Sequence, residues 1–247
     1  DVPCCFGVQY EVMDVTSSRV QGFIEDVLDE VITIFPSPVI HIGGDEVKFD
    51  QWNASTSIQE YMTRQGIETP ADLQIVFTNR ISHLLQQKER RMMGWNDITG
   101  NKIHEYNTEA DATAKEKLAD GTIVQFWKGD LDLIEKTASQ GYDIVNSYHY
   151  KTYLDYDYQK ILLEKAYEFD PVPEGLPKDL KKKILGLGCQ MWGEEIMDND
   201  KMYYQIFPRI AAYAECGWTL PGRKDYFSFL KPLKKLKMVW KTQGLMK

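Results

Sequence analysis

Apolar residues occur along this chain in two patterns, short continuous runs and longer stretches with helical spacing. Five short runs have the near-continuous apolarity that is typical of strands buried on both faces of a parallel sheet. They are Val39–Gly44, Arg91–Trp95, Thr122–Trp127, Asp143–Tyr148 and Ile184–Trp192. Because amphipathic stretches separate these runs, the pattern predicts five βα units and therefore the α/β fold class.

The stretches between the runs predict helices. In the first stretch, apolar residues recur at helical spacing from Val20 to Ile32, and Pro36 follows as a stop signal. In the second stretch, Pro70 suits the first turn of a helix. The predicted helices are Arg19–Phe35, Thr69–Glu89, Leu131–Gln140 and Met202–Cys216, and the longest irregular segment is predicted at Asp155–Lys183.

Composition and charge exclude several classes of protein. The 247 residues are 43% hydrophobic and 27% charged, which is a globular composition. No apolar run reaches the roughly 20 residues that a membrane span needs, so we expect no span. With 29 basic and 37 acidic residues the net charge is −8, which predicts no nucleic-acid partner. The four cysteines have neither a disulfide framework nor a zinc spacing, and we expect no metal and no cofactor.

Carboxylates and tryptophans recur where the predicted strands end, which is where βα barrels carry their catalytic groups. Indoles can stack on the C–H faces of a pyranose ring, and carboxylates accept hydrogen bonds from its hydroxyls. For a single strand end, a core tryptophan or an acid at a helix start is the simpler interpretation, but the recurrence at five ends favours a sugar site. The residues at these ends are His41, Asp45, Glu46, Trp95, Asn96, Asp97, Trp127, Tyr153, Asp155, Trp192 and Glu194.

The adjacent acids Asp45 and Glu46 are the sharpest feature. Successive side chains on a strand point to opposite faces, so two neighbours can serve one pocket only if the strand has already ended. Gly43 and Gly44 permit such a turn. A carboxyl beside a second negative charge and aromatic walls is expected to have a raised pKa and to donate a proton near neutral pH. Adjacent acids cannot easily flank a glycosidic bond at the usual separation of about 5 Å or about 6.5–9.5 Å, so Asp45 needs another role.

The segment His41-Ile-Gly-Gly-Asp45-Glu46 resembles the His-x-Gly-Gly-Asp-Glu signature of family 20 glycoside hydrolases, the β-N-acetylhexosaminidases. Five later segments resemble later blocks of that family, in the same order. They are Gly94–Asp97, Gln125–Trp127, Tyr153–Asp155, Gln190–Glu194 and Phe207–Trp218. The six blocks together cover nearly the whole chain, which makes the resemblance specific.

The resemblance implies a (β/α)8 TIM-barrel fold and a substrate-assisted retaining mechanism, in which the 2-acetamido oxygen of the substrate forms an oxazolinium intermediate. Asp45 would orient the acetamido nitrogen and stabilise its developing positive charge. Glu46 would protonate the leaving oxygen and later activate water. Tyr153 would donate a hydrogen bond to the acetamido carbonyl.

The resemblance also implies the residues that bind the sugar. The substrate would be a glycan with a terminal β-linked N-acetylhexosamine, either GlcNAc or GalNAc. His41 would support the site, with a buried structural histidine as the alternative. The other predicted binding residues are Trp95, Trp127 and Trp192, which would enclose the sugar, and Asp155 and Glu194, which would hold its hydroxyls.

The length of the chain departs from the family pattern. A complete barrel has eight βα units, and the five predicted here would correspond to family strands 4 to 8. Residues 1–247 are therefore expected to be the C-terminal part of a catalytic domain, with three N-terminal units absent. The incomplete barrel would have open sheet edges, which predicts self-association.

Three other functions have to be compared with glycan hydrolysis. A catalytically inactive fragment of the same fold, which binds sugars or partners, is the main alternative. A diguanylate cyclase also contains Gly-Gly-Asp-Glu, but there an apolar strand follows, whereas here Val47 precedes a polar, broken segment. A metal site at His41, Asp45 and Glu46 would need a helix, which the two glycines disfavour.

The resemblance to family 20 glycoside hydrolases also implies an extracytoplasmic location.

Overall fold

A computed structural model of the chain describes residues 5–106, 111–113 and 117–246. The strands are β1 (Val39–His41), β2 (Arg91–Trp95), β3 (Ile123–Phe126), β4 (Asp143–Asn146) and β5 (Ile184–Leu187). The helices are α1 (Ser18–Ile34), α2 (Asp50–Ala54), α3 (Thr56–Gln65), α4 (Pro70–Gln87), α5 (Asp132–Ser139), α6 (His149–Thr152), α7 (Leu163–Glu168), α8 (Asn199–Ile206), α9 (Arg209–Trp218) and α10 (Tyr226–Thr242).

The strand order follows the chain order from β1 to β5. Strand β1 runs parallel to β2, with Val39 opposite Arg91, and β2 runs parallel to β3, with Trp95 opposite Gln125. Strand β4 runs parallel to β5. Each strand lies within one predicted run, so the prediction of five βα units is confirmed.

The chain divides into two compact units. The first comprises the residues up to Gln125 together with Gln140–Asp143, and the second comprises Phe126–Ser139 and the residues from Ile144 onwards. No helix among the described residues is long and apolar enough to cross a membrane.

The core of the first unit lies between β1, β2 and two long helices. Leu28 of α1 and Leu85 of α4 pack against Ile40 and Met92 of the strands. Helix α4 begins where its sequence dictates, because Pro70 follows Thr69, and the Thr69 hydroxyl and the Asp72 carboxylate form a capping box. The predicted helix at Thr69–Glu89 is thus confirmed.

Helix α1 covers the predicted segment Arg19–Phe35 except for Phe35, and only part of its apolar face is buried. Phe23 is 62% exposed and Val27 is 41% exposed. Both side chains line a groove of about 610 Å³, which β1 and residues 11–15 also border. The first unit therefore has an apolar groove beside β1.

The core of the second unit forms around α9. Tyr213 packs with Leu154, Tyr167 and Phe229, and Phe229 belongs to α10. Helix α10 was not predicted from the sequence, although Asp225 caps it by accepting a hydrogen bond from the amide of Ser228 at 2.6 Å.

A buried arginine of α9 fixes the segment that carries Tyr153 and Asp155. Arg209 is fully buried, and its guanidinium donates to the carbonyl oxygens of Leu154 at 2.6 Å and Tyr156 at 2.8 Å. It also donates to the carbonyl of Gln205 at 2.8 Å. A buried cation is costly unless its donors are satisfied, so these bonds hold the carbonyls to one geometry.

Three sequence-based boundaries were wrong. The predicted helix Met202–Cys216 is two helices, α8 and α9, because Pro208 has no amide hydrogen and cannot continue a helix. The predicted irregular segment Asp155–Lys183 contains α7. The predicted strand Ile184–Trp192 ends at Leu187, so Trp192 lies in an irregular segment beyond the strand.

A tight left-handed turn follows β1. Gly43 has φ +73° and Gly44 has φ +88°, a region that residues with a Cβ rarely adopt. The carbonyl of Gly43 accepts a hydrogen bond from the amide of Trp95 at 2.9 Å. A Cβ on Gly44 would lie 2.6 Å from Cγ2 of Ile98, so glycine is also required by space.

We therefore expect Gly44→Ala to lower the free energy of unfolding by about 2–4 kcal/mol, because it adds a steric clash to an unfavourable backbone conformation. Gly66→Ala is the matched control. Gly66 also has a left-handed backbone, at φ +68°, but a Cβ there would meet nothing within 4 Å. Chemical denaturation of both variants measures the difference, and equal losses would contradict the steric role of Gly44.

Candidate active site

The predicted site residues fall into two groups, one in each unit. The first group lies at or just beyond the ends of β1 and β2, and the second lies beyond the ends of β3, β4 and β5. The first unit contains His41, Asp45, Glu46 and Trp95, and the second contains Trp127, Tyr153, Asp155, Trp192 and Glu194.

The turn after β1 places Asp45 and Glu46 beyond the end of the strand, as predicted. The amide of Glu46 donates to Oδ1 of Asp97 at 3.2 Å, and the side-chain amide of Gln74 donates to the carbonyl of Gly44 at 2.9 Å. Glu46 itself has φ +56°, an uncommon conformation for a residue with a side chain. Such strained residues cluster at functional sites, which supports a role for this turn.

Asp45 has a carboxyl group whose pKa is raised. Burial raises the pKa of Asp45 from 3.8 to about 6, and the nearby Asp97 and Glu46 carboxylates add to the rise. A raised pKa was expected at this pair, and Asp45 has one. Above pH 6 this carboxylate is ionised in a partly desolvated place, where it can stabilise a positive charge strongly.

Asp97 and His104 form a buried pair next to these acids. His104 Nε2 lies 2.6 Å from Oδ1 of Asp97, the same atom that accepts from the amide of Glu46. The ring of Tyr106 stacks on His104 at 4.9 Å, and the pKa of Tyr106 is raised by burial and by the Glu46 and Asp97 carboxylates. The sequence placed Asp97 at a strand end, but His104 lies in an irregular segment that gave no signal.

His41 supports the turn and a tryptophan. Its Nδ1 accepts a hydrogen bond from the amide of Gly43 at 3.0 Å, and its ring lies edge-on to Trp95 with centroids 5.2 Å apart. Trp95 is 7% exposed, whereas His41 is an exposed residue. These contacts are consistent with the supporting role, which stays a prediction.

Tyr153 is the centre of the second group. It is 5% exposed, and its ring stacks on Trp127 with centroids 6.4 Å apart and an interplanar angle of 11°. The ring of Trp192 lies 6.0 Å from Tyr153. The structure thus brings two of the predicted tryptophans onto the predicted tyrosine.

Asp155 and Glu194 supply the charge of the second group. The amide of Trp192 donates to Oδ1 of Asp155 at 3.4 Å, and the pKa of Asp155 is raised by burial, with a smaller contribution from Glu194. Glu194 is exposed. The second group therefore places two carboxylates, which can accept hydrogen bonds, beside an aromatic cluster.

Two further aromatic residues of the second group were missed by the sequence analysis. His149 and Tyr156 both have rings within about 6 Å of Tyr153. His149 begins the short helix α6 and Tyr156 lies seven residues later, beyond the end of that helix, a spacing that gives no recognisable sequence signal. In the part of the chain that the structure describes, no cluster of three or more histidine, cysteine or acidic residues could hold a metal ion.

Comparison with known proteins connects this geometry to a family. The family model described as glycosyl hydrolase family 20, catalytic domain, matches residues 1–221. A β-hexosaminidase of Porphyromonas gingivalis is 30% identical over 241 residues, which are 92% of this chain and 29% of that protein. A β-hexosaminidase of Vibrio furnissii is 31% identical over 85% of this chain and 34% of that protein.

A solved structure gives the same result. The exo-β-N-acetylglucosaminidase of Vibrio harveyi, solved in complex with N-acetylglucosamine, matches with a TM-score of 0.79 and 30% identity over 95% of this chain. The match covers 36% of that chain, so this chain spans about a third of the length of its relatives. The parallel strands and their helices fit an incomplete α/β barrel. This chain belongs to glycosyl hydrolase family 20.

Proposed function

We propose that this chain carries the catalytic residues of a β-N-acetylhexosaminidase, which removes terminal non-reducing β-linked GlcNAc or GalNAc from glycans. The pair Asp45 and Glu46, placed together by the turn after β1, is the observation that supports this proposal best. Two adjacent carboxylates do not suit the usual double displacement, but they suit a reaction in which the substrate provides its own nucleophile.

In the proposed first step, the acetamido oxygen of the substrate attacks the anomeric carbon as the glycosidic bond breaks. The Glu46 carboxyl gives its proton to the leaving oxygen. The product is a positively charged oxazolinium ion, and the Asp45 carboxylate stabilises the charge at its nitrogen. The raised pKa of Asp45 supports this role, because a partly desolvated carboxylate gains more from a nearby cation than a solvated one does.

In the proposed second step, the ionised Glu46 removes a proton from water, and the water oxygen attacks the anomeric carbon. The oxazolinium ring opens, the acetamido group is restored and Glu46 is protonated again. The two inversions at one carbon give net retention. The Tyr153 hydroxyl donates to the acetamido carbonyl oxygen and aligns it for attack, which is a contribution of position rather than of charge.

The other predicted residues bind the sugar in this proposal. His41 orients Trp95 and the turn through the contacts described above. The hydroxyl groups of the sugar are held by carboxylates and its faces by indoles. The proposed binding residues are Trp95, Trp127, Trp192, Asp155 and Glu194.

Two further proposals concern the location of the protein and its association with other copies of itself. We propose an extracytoplasmic location, where such glycans are met. Self-association through an open sheet edge stays a prediction, and the groove beside β1, with the exposed Phe23 and Val27, supports it.

The internal nucleophile can be tested by changing the substrate. We expect the intact protein to hydrolyse an aryl β-N-acetylglucosaminide but not the corresponding aryl β-glucoside, because the hydroxyl at C2 cannot form the oxazolinium ring. Release of the aryl alcohol measures both rates. Comparable rates on the two substrates would refute substrate assistance. Binding of N-acetylglucosamine without hydrolysis of either substrate would favour the alternative of an inactive sugar-binding fragment.

Proton donation by Glu46 can be tested with leaving groups of different acidity. We expect Glu46→Gln to lower kcat by about 10²–10⁴-fold for poorly acidic alcohols, which need protonation, and much less for an acidic nitrophenol. Glu60→Gln is the control, because Glu60 is an exposed glutamate of α3 in the same unit. A loss that does not depend on the leaving group would contradict the assignment of Glu46.

A further inference from the structure

Tyr153 lies at one corner of a triangle of aromatic rings. Its ring centroid is 5.8 Å from that of His149 and 5.8 Å from that of Tyr156, and the third side, between His149 and Tyr156, is 6.0 Å. The His149 ring meets both tyrosines edge-on, at interplanar angles of 66° and 77°. Rings in this arrangement have favourable quadrupole contacts and little freedom to tilt.

One hydrogen bond closes the side of the triangle opposite Tyr153. The Nδ1 atom of His149 and the hydroxyl of Tyr156 are 2.7 Å apart. His149 is 8% exposed, and its Nε2 is buried with no hydrogen-bond partner among the described residues. The bond to Tyr156 is therefore the polar contact that orients the imidazole.

The imidazole is neutral at the pH of ordinary assays. Burial lowers the pKa of His149 to about 4, and the nearby Lys128 adds to this effect. A neutral imidazole has one donor and one acceptor nitrogen, so the bond to Tyr156 can form in either tautomer. Its role here is structural orientation and not proton transfer.

The backbone around the triangle is already fixed. His149 begins α6 and Tyr153 follows its end, where the amide of Tyr153 donates to the carbonyl of His149 at 3.3 Å. Arg209 holds the carbonyls of Leu154 and Tyr156. With the backbone held, the remaining freedom of Tyr153 is in its side chain. The rings of His149 and Tyr156, together with those of the two tryptophans described above, limit that freedom.

We propose that the hydrogen-bonded pair His149 and Tyr156 is a positioning element that fixes the ring of Tyr153. This inference rests on the proposed function, in which the Tyr153 hydroxyl aligns the acetamido carbonyl. Neither residue of the pair has to touch the substrate. A small rotation of the Tyr153 ring moves its hydroxyl most, because the hydroxyl is the atom farthest from the backbone.

Removal of the Tyr156 hydroxyl is the first test. We expect Tyr156→Phe to lower kcat of the intact protein on an aryl β-N-acetylglucosaminide about tenfold, with KM changed less than about twofold, because alignment is lost and not binding. Tyr150→Phe is the matched control. The ring of Tyr150 likewise lies close to His149, at 3.9 Å between centroids, but Tyr150 is 62% exposed. An equal loss in both variants would overturn the proposal.

A double-mutant cycle tests whether the effect passes through Tyr153. In a Tyr153→Phe background we expect Tyr156→Phe to change kcat less than about twofold, because there is no hydroxyl left to position. The same tenfold loss in both backgrounds would show a general structural role and would overturn the proposal. His149→Gln, which retains a hydrogen-bonding amide, should keep more activity than His149→Leu, and thermal melts of all variants report folding.

The cycle also separates this inference from the proposed function. If Tyr153→Phe costs activity and Tyr156→Phe does not, the positioning role is wrong and the proposed function stands. If Tyr153→Phe leaves kcat unchanged, both the role of Tyr153 and the positioning of its ring are wrong.

Discussion

The steric constraint at Gly44 determines the arrangement of the first group of site residues. The left-handed turn after β1 can form only because Gly44 has no Cβ, which would otherwise lie against Ile98. The turn carries the chain out of its strand geometry before Asp45, so that two successive carboxylates follow the same strand end. Everything proposed for Asp45 and Glu46 depends on this piece of backbone.

The second group depends on a different interaction, the buried guanidinium of Arg209. Its donors bind backbone carbonyls on either side of Asp155, those of Leu154 and Tyr156, so this segment cannot move without leaving a buried charge unpaired. In both units, therefore, the backbone that carries the candidate site is held by groups that would never contact a substrate. The chemistry proposed for the site therefore depends on Gly44 and Arg209 as well as on the reactive residues.

The sequence predicted the features that depend on local pattern. Apolar runs located all five strands, and Pro70 and Pro36 marked the start of α4 and the end of α1, because these signals act within a few residues. The merged helix at Met202–Cys216 was wrong because apolar spacing continued through Pro208 and was given more weight than the missing amide.

Features that depend on tertiary contacts could not be predicted. The hydrogen-bond partners of His104 and His149 are Asp97 and Tyr156, each seven residues away along the chain, a spacing that no helix or strand pattern predicts. The same holds for Arg209, whose carbonyl partners lie about 50 residues earlier in the chain. The family resemblance provided roles for single residues, but it gave no information on the residues that hold them in place.

The turn after β1 holds Asp45 in a partly desolvated place beside Asp97 and Glu46. Because its pKa is raised, the native chain binds this proton more tightly than the unfolded chain, and stability falls as the pH rises from about 4 to about 6. The most direct test is the free energy of unfolding of the wild type and of Asp45→Asn between pH 4 and pH 8, with Asp26→Asn on the exposed face of α1 as the control. The account predicts that Asp45→Asn is close to the wild type at pH 4 and more stable by about 1–2 kcal/mol at pH 7.5, after allowance for solvent screening. A difference that stays constant over this range would contradict it.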